Sequence, residues 1–282
     1  MQDELILGAV YERTVAASLE RIWENVHDWE HLPWLHDSAF SAIELDEAAD
    51  WGWRARIRIA PDPEAETLLV ELRRDSDREF YHTRTLEGPG KGADTQVTLT
   101  PQGPRTTHVR VEFWLAVADD AQAKALGAGL VTVYTRLWDE DEAMMLMRQA
   151  VIDGVRSGRA RAQPGDLPAV PLGPWQELSA RAPFLVSTER GKYRVVETEA
   201  GFFAHSLLCP HWGGPMEEAE IAGEYAVCPW HGYRYDLADG RVADGKRCHM
   251  KKPPRIERRS DGEAELVFEA AGFESQSTKS TD

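Results

Sequence analysis

Four residues dominate a chemical reading of this chain. Cys209, His211, Cys228 and His231 are spaced C-x-H, sixteen residues, C-x2-H, in the segments "CPHWGGP" and "CPWHGYRYD". Thiolates are soft ligands and imidazoles borderline ones. Two of each can therefore hold either a tetrahedral zinc or a cluster with one sulfur-bound and one nitrogen-bound iron. A zinc finger usually takes both cysteines from one knuckle and both histidines from a helix. Here each loop supplies one Cys and one His among glycines and prolines suited to tight turns. The bland alternative is that they are satisfied residues in turns.

A second set lies in "ENVHDWEHLPWLH", residues 24 to 36. At 3.6 residues per turn, Leu19, Ile22, Trp23 and Val26 make one apolar stripe, and Glu24, Asp28 and His31 fall about opposite to it. That opposite face reads either as solvated or as half of a metal site. Pro33 cannot continue a helix interior, so the chain turns just after His31 and can bring His36 back towards it.

The third set lies in "YTRLWDEDEAMMLMRQAVI". Its apolar stripe contains Tyr134, Leu137, Trp138, Met144, Met145 and Ile152; on the helical wheel Asp141 falls inside the stripe, while Asp139, Glu140 and Glu142 fall outside. A carboxylate facing a core needs a cationic partner. A metal ion would serve, and so would Arg148 in the same stripe.

These sets lie in two parts of a 282-residue chain, long enough for two modest domains. A Pro/Gly-rich stretch ending in "LPAVPLGPW" reads as a linker over 156–173. Residues 1–155 begin with a strand and a helix and continue with period-two strands. In "WRARIRIA", Trp53, Ala55, Ile57 and Ile59 alternate with arginines, and in "VRVEFWLAV" Val109, Val111, Phe113, Leu115 and Val117 share a face. Further strands are expected near 67–73, 79–85 and 95–99, and an amphipathic helix over about 125–153 closes the domain. This α+β order resembles the helix-grip fold of START/Bet v 1-like ligand-binding domains. Residues 174–271 read as short strands and turns of a small all-β domain, and 272–282 as a disordered polar tail.

Hydrophobic residues make up 42% of the chain and charged residues 28%, as in a water-soluble globular protein. The formal charge of −16 argues against a nucleic acid or an anionic membrane as partner. No signal-peptide pattern opens "MQDELILGAV", so a cytoplasmic location is expected. All three cysteines lie in the last third, and Cys248, in "KRCHM", stands outside the C-x-H and C-x2-H pairs as a plain thiol.

The paired loops resemble the Rieske [2Fe-2S] motif. The resemblance implies that Cys209 and Cys228 bind one iron, and His211 and His231 the other. Imidazole ligation places such clusters in a window of roughly −150 to +300 mV. Where respiratory Rieske proteins carry an extra cysteine pair, this chain has Gly214 and Trp230, which points to the lower-potential ferredoxin and oxygenase branch.

A Rieske cluster stores single electrons, so a second metal site is what it would serve. The pattern E-x3-D-x2-H-x4-H, with "EN" and "HLPW", is similar to the mononuclear-iron motif of Rieske non-haem iron oxygenases, especially their monooxygenase and demethylase branch. "EDEAMMLMRQ" resembles the same family's third-ligand segment. Carried over, His31, His36 and Asp141 would bind Fe(II) as a facial triad, leaving positions for O2 and substrate. Asn25 would lie near those open positions. Asp28 would join His31 to His231 across a subunit boundary of a head-to-tail homotrimer. In the family as usually built the Rieske domain comes first; here the order is inverted.

The resemblance implies O2-dependent hydroxylation or oxidative demethylation of a small aromatic or alicyclic substrate, with electrons from an external reductase or ferredoxin. The alternative is a Rieske ferredoxin-type electron carrier fused to a non-catalytic ligand-binding domain.

Overall fold

The computed structural model describes residues 5–62, 64–156, 169–243 and 245–268. They form two compact units, Met1–Asp153 with Trp230–Gly232, and Gly154–Pro229 with Tyr233–Asp282. The expected tail, and most of the expected linker, lie outside the described residues.

The first unit is built on an antiparallel sheet of seven strands: β1 (Ile6–Val15), β2 (Phe40–Ala49), β3 (Gly52–Ile59), β4 (Thr67–Asp75), β5 (Phe80–Glu87), β6 (Asp94–Gly103) and β7 (Thr106–Leu115). Their order is β1-β7-β6-β5-β4-β3-β2, so the two strands that begin and end the run, β1 and β7, are paired. Helices α1 (Leu19–His27) and α2 (Leu32–Leu35) fill the connection from β1 to β2, and α3 (Asp120–Arg156) follows β7. This is the α+β helix-grip arrangement.

Alternation along β7 buries Val109, Val111 and Phe113 completely. Each such side chain contributes about 1.5–3 kcal/mol of apolar burial. From α3, Tyr134, Trp138 and Met145 join this core, and the Tyr134 ring meets Phe113 edge-on at 4.7 Å. The helix can lie this close because Gly127 faces Gly8. A Cβ on Gly127 would stand 2.4 Å from the Gly8 carbonyl carbon. β2 was not foreseen, because its outer half is wholly exposed and carries no alternation.

Among the described residues the second unit is built of strands, with one short α-helix, α4 (Leu178–Arg181), and two 3-10 turns at Trp175–Glu177 and Met216–Glu218. Its strands are β8 (Val170–Pro174), β9 (Phe184–Thr188), β10 (Gly191–Thr198), β11 (Gly201–Ser206), β12 (Glu220–Ala222), β13 (Tyr225–Val227), β14 (Arg234–Asp236), β15 (Arg255–Arg258) and β16 (Glu263–Val267). They form three antiparallel sheets, β11-β10-β9, β12-β13-β14 and β15-β16-β8. Leu172, Leu178, Val195, Ala204 and Leu266 make a common core. β8 begins at Val170, inside the stretch read as linker, because its backbone pairs with β16. Among the described residues, no helix is long and apolar enough to cross a membrane.

Candidate metal centres

Helix α1 starts on a Ser18 cap and ends at Asp28, whose backbone N–H bonds to the Asn25 carbonyl. His31 is therefore not on α1, as the sequence suggested; it caps the next turn, α2. Pro33 lies in the first turn of α2, where its missing N–H is no loss. The single turn of α2 then returns the chain, so that the rings of His31 and His36 stand 5.0 Å apart at 73°.

Asp141 reaches the same point from α3. Its Oδ1 lies 3.1 Å from His36 Nε2 and 3.5 Å from His31 Nε2, and one ligand atom from each residue falls within 4.8 Å of the others. All three residues are buried, with His31 3%, His36 1% and Asp141 8% exposed. Ligand atoms held about 2.1 Å from one ion at octahedral to tetrahedral angles lie about 3.0–3.4 Å apart. The Asp141–His36 separation falls in that range and Asp141–His31 lies just beyond it, and two imidazoles with one carboxylate are the donor set of a non-haem Fe(II) triad.

The charges point the same way. Burial works against ionisation of Asp141, but His36, His31 and an Asn25 hydrogen bond outweigh it and lower its pKa. Burial also works against the His36 cation, yet Asp141 and Glu140 raise its pKa. His36 thus faces a carboxylate at each ring nitrogen, Glu140 at Nδ1 and Asp141 at Nε2, a setting that favours positive charge.

Asn25 is 6% exposed and donates its side-chain N–H to Asp141 Oδ1 at 2.8 Å, so it meets the carboxylate directly. Glu140, which sequence reasoning left outside the stripe, accepts from His36 Nδ1 at 2.6 Å and so orients Nε2 towards Asp141. The other acids of the run point elsewhere. Asp139 and Glu142 pair with Arg13, while Glu24 pairs with Arg21 and with Arg148 at 3.7 Å. The groups that bring Asp141 down are thus two histidines and an amide, and Arg148 is engaged by Glu24.

The Asp28 side chain, 9% exposed, lies 3.4 Å from His31 Nδ1 and accepts from His231 Nε2 at 2.6 Å, Trp230–Gly232 being part of the first unit. Burial would raise the Asp28 pKa; its bonds to His231 and His31 overcome this and hold it well below the usual carboxylate range. The sequence reading expects the same Asp28–His231 pairing, across a subunit boundary.

The two Cys/His loops are closed in the same way. Cys209 N–H bonds to Gly214 O and Cys228 N–H to Tyr233 O, both at 2.9 Å. Cys209 is 3% exposed and Cys228 fully buried. The neighbouring Cys228 lowers the Cys209 pKa; burial opposes this, and the Tyr235 hydroxyl and the backbone N–H groups of His211 and Trp212 add to the lowering. The thiolate is the form that ligates iron, so this setting fits a metal ligand. Tyr235 O–H lies 3.2 Å from Cys209 Sγ, and the Tyr233 ring stacks on His211 at 4.4 Å and 11°. Neither tyrosine was singled out from the sequence. Their i, i+2 spacing in "GYRYD" was the available signal, since alternate residues of an extended segment share a face.

Residues 169–254 match the family profile of the Rieske [2Fe-2S] domain. A 68-residue stretch is 37% identical to the cytochrome bc1 complex Rieske iron-sulfur subunit of Streptomyces lividans; it covers 24% of this chain and 40% of that protein's length. Among solved structures, norcoclaurine synthase from Thalictrum flavum, in complex with dopamine and hydroxybenzaldehyde, shares 18% identity. That match covers 51% of this chain and 90% of the synthase, with a TM-score of 0.40. A START superfamily protein from Mycobacterium smegmatis shares 18% over 50% of this chain and 97% of its own, with a TM-score of 0.41. An aromatase/cyclase from Streptomyces sp. R1128 shares 16% over 51% and 95%, with a TM-score of 0.43. The chain therefore carries a Rieske domain, which implies a [2Fe-2S] cluster and either electron-transfer or oxygenase-type chemistry.

Proposed function

We propose that this chain is the oxygenase component of a Rieske non-haem iron system. Its reaction would be the O2-dependent hydroxylation or oxidative demethylation of a small organic molecule, with electrons from an external reductase or ferredoxin. The observation that carries this reading is the buried meeting of His31, His36 and Asp141 within 4.8 Å, in the unit that also holds Asp28 against His231. A ligand-binding fold alone has no need of two imidazoles and a carboxylate gathered in its core.

When bound, the cluster supplies single electrons and the mononuclear iron activates O2. The remaining work belongs to side chains of this chain. Glu140 takes the Nδ1–H of His36, which directs Nε2 towards Asp141. Asn25 fixes the Asp141 Oδ1 atom that both histidines face. Asp28 is ionised and bonded to His231 Nε2 while 3.4 Å from His31, which makes it the polar connection from the cluster's histidine to the triad.

The test is iron per chain in protein purified without air, with acid-labile sulfide measured on the same sample. Three irons and two sulfides, falling to two irons in His36→Ala, are expected. Two irons and two sulfides, unchanged after ferrous iron is supplied, would make the chain an electron carrier fused to a ligand-binding domain.

A further inference from the structure

The four cluster ligands differ in access. Cys209, Cys228 and His231 are 3%, 0% and 5% exposed, and His211 is only half-buried. Electron transfer weakens steeply with distance, so the His211 side offers a partner protein its shortest approach. Tyr233 lies flat on the His211 ring, and Lys246 Nζ stands 4.8 Å over the Tyr233 ring.

Lys246 opens the most basic part of an otherwise acidic chain. Residues 241–259 contain eight Lys or Arg against two Asp or Glu, in a protein of formal charge −16. Arg241, Lys246, Arg247, Lys251, Lys252, Arg255, Arg258 and Arg259 are all exposed. The part next to the cluster is held in place by its backbone. His249 pairs with Arg241 across an isolated antiparallel bridge, Met250 N–H bonds to Gly240 O at 2.8 Å, and the Met250 side chain is 3% exposed. Cys248, just before these anchors, lies 3.3 Å from the Tyr235 hydroxyl that also meets Cys209. The loop is therefore tied to the cluster surroundings at Tyr233 and at Tyr235.

We propose that the basic loop Lys246–Lys252, beside His211 and Tyr233, is the docking surface for an acidic one-electron donor protein. The inference rests on the cluster of residues 169–254, which both functional readings share, and deepens the proposed need for an external donor. The overall negative charge would repel an acidic donor from most of the surface. A local positive field at the accessible ligand reverses that repulsion at the one place where docking is productive. The step is a single-electron exchange: the donor's cluster is oxidised by one electron, and the [2Fe-2S] cluster of this chain is reduced by one.

The experiment uses the full chain with its cluster, mixed in a stopped-flow device with a reduced plant-type [2Fe-2S] ferredoxin of strong negative charge. Reduction is followed by the bleaching of visible absorbance. The second-order rate is expected to fall as salt rises, although both proteins are acidic. Arg247→Glu and Lys251→Glu are each expected to slow it several-fold, and with Lys252→Glu added, by about tenfold or more. The visible spectrum and the rate of reduction by dithionite should stay unchanged. Lys124→Glu, the same charge change on α3, should leave the ferredoxin rate within about twofold of the parent.

A rate that rises with salt, or loop variants that match the parent, would overturn the docking surface while leaving the cluster assignment intact. A chain with no visible cluster absorbance would instead remove the Rieske reading itself. Salt-sensitive binding to duplex DNA, lost in the same variants while the ferredoxin rate is untouched, would assign the loop to a polyanion and also overturn the proposal.

Discussion

The Tyr235 hydroxyl stands between two sulfurs, 3.2 Å from Cys209 Sγ and 3.3 Å from Cys248 Sγ. It has one proton, and burial followed by the charge of Cys209 raises its pKa, so the phenol stays neutral. It can donate to the cluster sulfur of Cys209 while accepting from the Cys248 thiol. A donor at a cluster sulfur stabilises the more negative, reduced cluster. Tyr235→Phe is expected to lower the midpoint potential by about 50 mV, from a bond of about 1 kcal/mol and 59 mV per tenfold for one electron. Cys248→Ala should shift it in the same direction by less, since a chain of hydrogen bonds strengthens each member. Spectroelectrochemical titration measures both. An unchanged potential in Tyr235→Phe would show that the hydroxyl does not act on the cluster.

Glu140 and Asp139 are neighbours in sequence with different duties. Glu140 holds His36 Nδ1, and Asp139 pairs at the surface with Arg13. Glu140→Gln keeps the shape but removes the charge that makes His36 a good ligand, and should weaken ferrous iron binding about 10- to 100-fold. Asp139→Asn should leave it unaltered. Anaerobic iron titration distinguishes the two, with acid-labile sulfide constant in both.

Asp28 is the carboxylate between His231 and His31. Asp28→Ala should keep both metals, read as iron and sulfide per chain, while coupled substrate turnover falls by more than about tenfold. Full turnover in that variant would remove Asp28 from the connection.

His205 gives a stability prediction. It is 1% exposed, and its Nδ1 lies 3.1 Å from the Ser206 carbonyl. Burial pushes its pKa down to about 4, with Arg194 adding to the effect and the Ser206 bond opposing it. The unfolded chain therefore binds a proton below about pH 6.5 that the folded chain refuses until about pH 4. The histidine's contribution is fully present above about pH 6.5 and falls as pH drops through this window, by about 3 kcal/mol in total. Thermal midpoints between pH 7 and pH 4.5 should decline less steeply in His205→Leu than in the parent.

The chemistry was most legible where it rests on short-range spacing. C-x-H and C-x2-H place their donors through the tight turns that contain them, so these four residues could be read before any contact was known. His31 and His36 were similarly legible, because Pro33 restricts the chain between them. Asp141 was legible as a misfit, an acid within an apolar stripe. Glu140 was not, because a helical wheel gives the direction of Cβ, and a long side chain can reach around it to a partner 104 residues away.

The sequence by itself determined the donor types, the alternation of the central strands, the long closing helix and the small all-β character of the second part. Those features follow from side-chain chemistry and from periods of two and 3.6 residues. Only the packing of the elements decided that Arg148 turns to Glu24, that Glu140 reaches His36, and that Tyr235 touches two sulfurs. Each of those joins residues from separate elements. Such meetings depend on how the elements pack, which no local period in the chain encodes.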